Sequence, residues 1–200
     1  MNARDRKLCE YDKLLAEQKI AASREPSCPL DLVFTGSREP GTFKQTASLT
    51  AWIEARSPRI RAFNQGCAVG WDHEATMIAR EMTKGIVYGF PCNIERFVSK
   101  LACQLSDVLH DPAEPLLRNR KMVAQGDVLL ACPRHDVEPE DPREGGGTWA
   151  TVRYARNLRK TVVIFWPDGR ISTEVYSVPR VSRPDLPRVR QPSLFDELFA

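Results

Sequence analysis

A chain of 200 residues, 42% apolar and 28% charged, is long enough to bury one sizeable core and too short for two full domains. A net charge of +3 does not by itself indicate nucleic acid, which would require a local basic patch. No apolar run approaches bilayer length, so no membrane association is expected. The six irregularly spaced cysteines, with no secretory leader, point to reduced thiols in a cytoplasmic protein.

Residues 1–29 read as an N-terminal surface helix and linker, with Leu8, Tyr11 and Leu15 at helical spacing before Pro26. Residues 30–168 then alternate between apolar runs and helical patterns. "LDLVFTG" is predicted as the first strand, followed by a helix through Leu49, Trp52 and Ile53 that stops before Pro58. "IRAFNQG" is the second strand. "DHEATMIAREMTKG" is a helix with acids in its first turn, Lys84 in its last and Gly85 as its stop.

"IVYGFP" gives the third strand, and "IERFVSKLACQLSDVLH" reads as one helix with Phe97, Leu101 and Leu105 on a stripe. "PLLRNRKMVAQG" is a helix opened by Pro115 and closed by Gly126. "DVLLACP" is the fourth strand, "TWATVRYARNLRK" the helix after three glycines, and "TVVIFWP" the fifth strand. Residues 169–178 suit an edge strand. Residues 179–200 read as a flexible linker, rich in proline and arginine, with an apolar C-terminal peptide. Together the pattern predicts an α/β fold: a Rossmann-like, doubly wound, mainly parallel sheet of five strands or slightly more, with helices on both faces.

In such a sheet, ligands gather at the carboxyl ends of the strands. Here those ends carry Thr35-Gly36-Ser37-Arg38, then Gly66 through Gly70 before Asp72, then Gly145-Gly146-Gly147-Thr148. Glycine lets a phosphate approach the backbone, a helix N-terminus offers unpaired N–H groups, and a hydroxyl adds a donor. Arg118 and Arg120 are candidates for a charged fork on the same anion. No G-x-G-x-x-G follows the first strand, so the dinucleotide fingerprint is absent. Trp149 reads either as a stacking partner for a base or as packing under the loop.

The ordered motifs "VFTGSREP", "QGCAVGWDHEATMIA", "EPLLRNRKMVAQGDVLLACP" and "GGGTWATVRYARNLRKTVVIF" resemble the SLOG superfamily over residues 30 to 167. The layout is most similar to its YspA/YpsA-related members, and more distantly to the DNA-processing Smf proteins and the "lonely guy" phosphoribohydrolases. That resemblance implies a nucleotide or nucleotide-derived ligand, with no obligatory cofactor. The pocket it implies is lined by Gly36, Ser37, Arg38, Gly66, Gly70, Asp72, Arg118, Asn119, Gly146, Gly147 and Thr148. In the phosphoribohydrolases the glycine motif continues to a glutamate, and Thr151 stands at that position here. A threonine cannot act as a carboxylate base or stabilise an oxocarbenium ion, leaving Asp72 and Glu114 as weak catalytic candidates. The reading is therefore a non-catalytic or weakly catalytic nucleotide-binding protein, in nucleotide signalling, stress or defence against mobile DNA. A nucleotide N-glycosidase is the first alternative.

The second alternative is a DNA-associated adaptor similar to Smf. Arg118, Arg120, Lys121, Arg153, Arg156, Arg159 and Lys160 are its candidate contacts to single-stranded DNA, ranked below a small nucleotide. The peptide Gln191-Pro192-Ser193-Leu194-Phe195 resembles the Q-x-[SD]-L-F segment that docks bacterial proteins on the replicative sliding clamp. In that reading Gln191, Leu194 and Phe195 bind the partner. The competing reading is an amphipathic turn that folds back on the domain or on a twin subunit, and relatives of this type commonly pair as homodimers. Cys67 with His73, and Cys132 with His135, lack the further ligands that a metal site needs.

Overall fold

The computed structural model describes residues 3–141 and 143–176. Its elements run α1 (Ala3–Ser23), β1 (Leu30–Gly36), α2 (Phe43–Arg56), β2 (Ile60–Gln65), α3 (Trp71–Met82), β3 (Ile86–Gly89), α4 (Lys100–Gln104), β4 (Val108–Leu109), α5 (Pro115–Gln125), β5 (Val128–Cys132), α6 (Gly146–Asn157), β6 (Thr161–Phe165) and β7 (Ile171–Glu174). One seven-stranded sheet has the order β4-β3-β2-β1-β5-β6-β7. Its first six strands are parallel, and β7 pairs antiparallel to β6. This is the Rossmann-like, doubly wound class anticipated above, wider by one strand at each edge than the five core strands. Gln191, Leu194 and Phe195, with the whole clamp-like peptide, lie outside the described residues.

Side chains of successive strand residues point to opposite faces, so a nearly continuous apolar strand feeds two cores. On one face Leu30, Leu32 and Phe34 of β1 join Leu49, Trp52 and Ile53 of α2 and Trp71 and Ala75 of α3. On the other, Val33 joins Met122 and Val123 of α5 and Trp149, Val152 and Ala155 of α6. The strands β5 and β6 divide in the same way, Leu130 and Phe165 to the first core, Leu129 and Ile164 to the second. Among the described residues no helix is long and apolar enough to cross a membrane. All six cysteines are unpaired.

The segment 94–110 corrects the sequence reading. Instead of one helix it forms a single 3-10 turn (Glu95–Phe97), the five-residue α4, and then β4 at the sheet edge. Polar anchoring overrides the apolar stripe. Asp107 exchanges backbone bonds with β3, its N–H donating to the Val87 carbonyl at 2.8 Å while its carboxylate accepts from the Val87 N–H at 2.8 Å. Arg80 of α3 grips the same carboxylate with both terminal nitrogens, at 3.0 and 2.8 Å. From below, Gln65 Nε2 reaches the Ala102 carbonyl at 3.0 Å and Ser106 Oγ at 2.9 Å. The chain is thus turned towards the sheet at Ser106.

α1 packs on α2, away from the strand ends. Tyr11 donates to Glu54 Oε2 at 2.8 Å, and burial together with that carboxylate raises the phenol's pKa. The linker after α1 is held by Glu25, which accepts from Arg56 Nε at 3.0 Å and from Arg59 Nη2 at 2.5 Å. Arg56 is 3% exposed and also stacks on Trp52, 4.1 Å from the ring centroid. Burial alone would raise the Glu25 pKa, but the two guanidinium groups outweigh it and hold the carboxyl below the usual range. Glu25 therefore stabilises the fold above the ordinary glutamate pKa of about 4.3, and loses that contribution as pH falls through its lowered value. Replacing it should cost roughly 1 to 3 kcal/mol at neutral pH, because Arg56 would be left buried without its anion. Urea denaturation of wild type and Glu25→Gln at pH 7 should show that gap, and the two curves should converge as pH falls through the lowered Glu25 value.

Candidate functional site

The sheet order reverses between β1 and β5, and the crevice at their carboxyl ends is where an open α/β sheet accommodates a ligand. A cleft of about 380 Å³ opens there. Its floor is the end of β1, where Thr35, Gly36, Ser37 and Arg38 face it. One wall is the first two turns of α5, from Pro115 to Met122. The opposite wall is the residues after β5, Pro133, Arg134 and His135, and the mouth is closed by Gly145 through Trp149 at the start of α6. The size falls within the range of small-molecule sites, roughly 300 to 1,000 Å³.

The predicted residues divide into two groups. Gly36, Ser37, Arg38, Asp72, Arg118, Asn119, Gly146, Gly147 and Thr148 all line this one cleft. Gly66 and Gly70 lie behind it. The Gly66 carbonyl accepts from Arg118 Nη1, and a side chain there would strike the guanidinium. Gly70 holds φ +88° with its α-carbon against the Arg38 backbone, so neither conformation nor space admits a side chain. Arg120 stands apart from the cleft, its guanidinium over the Tyr154 ring, and supplies no second arm of a fork. Trp149 is 2% exposed and packs against Trp166, so it is core and does not present a face for stacking.

Arg118 is a buried strut. It is 8% exposed, and its Nη1 donates to the Gly66 carbonyl and to the Phe90 carbonyl, the latter at 3.2 Å. Asp72 Oδ2 stands 3.9 Å from the same nitrogen and accepts from the Ala68 N–H at 3.0 Å. Burial pushes the Asp72 carboxyl above the usual range, and the Arg118 charge with the amides of Ala68 and Gly66 only partly offsets this. The group thus ties α5 to the ends of β2 and β3 and keeps Ala68 and Asp72 at the cleft. Glu114 has a different task. Its Oε2 accepts from the Leu117 N–H at 2.8 Å as the N-cap of α5, and that amide holds its carboxyl below the usual range. It does not line the cleft.

The α6 start answers why three glycines precede it. Gly145 has φ +81°, and a side chain there would collide with the Trp149 ring and Pro139. Gly146 has φ +62°. Gly147 has neither constraint: its backbone is not left-handed, and a β-carbon would meet only Asn119 Nδ2, at 3.9 Å. The N-cap residue Gly145 brings no side-chain acceptor, and Gly145 to Trp149 line the cleft, so the unpaired first-turn N–H groups of α6 lie at its mouth. Thr151, at the family's glutamate position, donates to the Gly147 carbonyl at 2.7 Å and accepts from Asn119 Nδ2 at 2.7 Å. It is 1% exposed and joins α6 to α5 rather than facing an occupant.

The loop between β5 and α6 is fixed from a distance. Arg156, in the last turn of α6, holds both oxygens of Glu138 at 2.7 and 2.8 Å and both of Glu174 on β7 at 2.7 and 2.8 Å. Sequence reasoning did not place Arg134 and His135 in the site. Their position directly after the "LLAC" run was the available signal, since it marks a strand's carboxyl end. Arg38 lies over the Phe97 ring at 3.7 Å, which supports the guanidinium by its face and leaves its N–H donors in the plane.

No family model matches the chain, and no curated protein matches it. Among solved structures, the molybdenum cofactor binding protein of the phototrophic bacterium Rippkaea orientalis is similar, with a TM-score of 0.50 at 20% identity over 70% of this chain and 77% of that one. DNA processing protein A of Helicobacter pylori, studied for its single-stranded DNA binding mode, gives a TM-score of 0.47 at 21% identity, over 76% of this chain and 67% of that one. The first likeness bears on the fold, which is the Rossmann-like α/β arrangement implied by the SLOG resemblance.

If Arg118 is the strut described, removing its charge while keeping its bulk should be costly. Arg118→Met should lose roughly 3 kcal/mol of stability, since two carbonyls and a buried carboxylate lose their partner. Urea denaturation monitored by tryptophan fluorescence measures it; an unchanged midpoint would show that the guanidinium carries no structural load.

Proposed function

We propose that the protein binds a phosphate-bearing nucleotide or nucleotide-derived ligand in the cleft between β1 and α6, without cleaving it. The observation that carries this reading is Gly147. It is bare although neither its backbone conformation nor its neighbours require glycine, and it sits among uncapped amides at a cleft mouth. Close approach by a ligand is the remaining physical reason for a missing side chain there. Around that point the cleft offers cations in Arg38, in Arg134, which pairs with the exposed Glu39 at 2.7 Å, and in the shielded Arg118, and hydroxyls in Ser37 and Thr148. That a protein of this fold from Rippkaea orientalis is named a molybdenum cofactor binding protein is in keeping with a small-molecule occupant.

Binding is favoured over hydrolysis by the committed state of the acids. Thr151 is not an acid, Glu114 caps α5, and Asp72 is tied to Ala68 and Arg118. Single-stranded DNA is less well served, because two of the cations proposed for it, Arg156 and Lys160, are engaged within the fold. Arg156 is held by Glu138 and Glu174, and Lys160 donates to the Gly126 carbonyl at 2.5 Å.

Two measurements test the proposal. Gly147→Ala should keep the melting temperature within a few degrees, or raise it slightly through better helix propensity, while weakening nucleoside monophosphate binding at least roughly tenfold. Calorimetry and a thermal melt on the same samples check this, and wild-type affinity in the variant would sink the reading. Incubation of the wild type with nucleoside monophosphates should release no free base by chromatography; release that disappears in Asp72→Asn would establish the glycosidase instead.

A further inference from the structure

A second crevice, of about 340 Å³, adjoins the main cleft through Arg118, which lines both. It forms where β3 and β4 end. The Phe90 N–H donates to the Gln65 carbonyl at 2.9 Å and the His110 N–H to the Gly89 carbonyl at 2.9 Å, which sets the two rings side by side. They stack with centroids 4.0 Å apart at 19°. On α5, Arg118 and Lys121 fall three residues apart on one face and complete the lining with Asp111 at the rim.

Among the described residues, two buried side-chain polar atoms have no hydrogen-bond partner: Arg118 Nε and His110 Nε2. Both residues line this crevice. A native interior rarely leaves such groups unmatched, and two of them, on residues that line one cavity beside a lysine, point to a missing acceptor. Burial moves His110 towards its neutral form, against the pull of Asp111 and together with the push of Lys121. A neutral imidazole with an Nε2–H, a guanidinium N–H and an ammonium are three donors that suit oxygen acceptors.

We infer that this crevice is a second oxyanion site, for the phosphate or carboxylate group of a small molecule, held by Arg118 Nε, His110 Nε2 and Lys121. It is separate from the glycine-lined cleft and does not depend on the nucleotide reading. Arg118 serves both sides, its Nη1 spent on the Gly66 and Phe90 carbonyls and its Nε left for the guest.

The test is NMR of the isotope-labelled full chain, following the His110 imidazole and the Gly146 and Gly147 amides during titration with inorganic phosphate and, separately, acetate, at constant chloride. The His110 signals should move saturably with at least one of the two anions, and the anion that moves them identifies the group. The same response should persist in Gly147→Ala, which disturbs only the main cleft. Lys121→Ala, an exposed change, should weaken it roughly threefold to tenfold. His110→Phe, which keeps the stack on Phe90, should abolish the corresponding heat in calorimetry while the thermal melt is retained. The inference is overturned if His110 is unmoved by both anions, if only the Gly146 and Gly147 amides respond, or if Lys121→Ala binds like wild type.

Discussion

The guanidinium of Arg118 enters the protein from α5 and ends against the carbonyls of Gly66 and Phe90, the first residues after β2 and β3. A charge placed at 8% exposure must be matched in place, and Asp72 at 3.9 Å with two backbone oxygens does so. The rest of the ligand-facing end follows from that constraint. Gly66 has no side chain because the guanidinium occupies the space one would need. Asp72 is fixed at the start of α3, and through the Ala68 N–H it shapes the loop that walls the main cleft. Both crevices meet at this one side chain, so the geometry of each depends on it.

The glycine loop illustrates a different division of labour. Gly145 and Gly146 are glycines for conformational reasons, whereas nothing among the described residues demands a glycine at Gly147. Thr151 ties the first turn of α6 to Asn119, and Arg156, roughly 7.5 Å further along the helix, secures Glu138 of the preceding loop. A loop with three glycines is thereby held at both ends by side chains that never reach the cleft. Pre-ordering of this kind reduces the entropy lost when a ligand docks against backbone amides.

Much of this was legible in the sequence, because the core strands are short, largely apolar runs, and three of them reach glycine at or just after their carboxyl ends, at Gly36, Gly66 and Gly89. The edges were not. β4 is two residues long and is created by Asp107, whose bonds to Val87 and Arg80 are long-range, while Phe97, Leu101 and Leu105 advertise a helix locally. The lining of the cleft was legible as a set of residues, but the task of each side chain was not. Arg118 carries the same letter whether it clasps a phosphate or two carbonyls, and burial decides between them. Trp149 follows the same logic: adjacency to the glycines suggested a base, and the second core claimed it. His135 was weighed only as a metal ligand beside Cys132, and Arg134 was not considered, although both follow a strand's end.

The antiparallel pairing of β7 has a consequence for direction. β6 runs towards the cleft, and the hairpin through Asp168 and Gly169 returns the chain so that Ile171 lies beside Phe165 and Glu174 beside Val162. By Glu174 the polypeptide has been carried back towards the pole of the sheet remote from the cleft. The described chain therefore leaves the sheet at the pole opposite the one where the cleft opens.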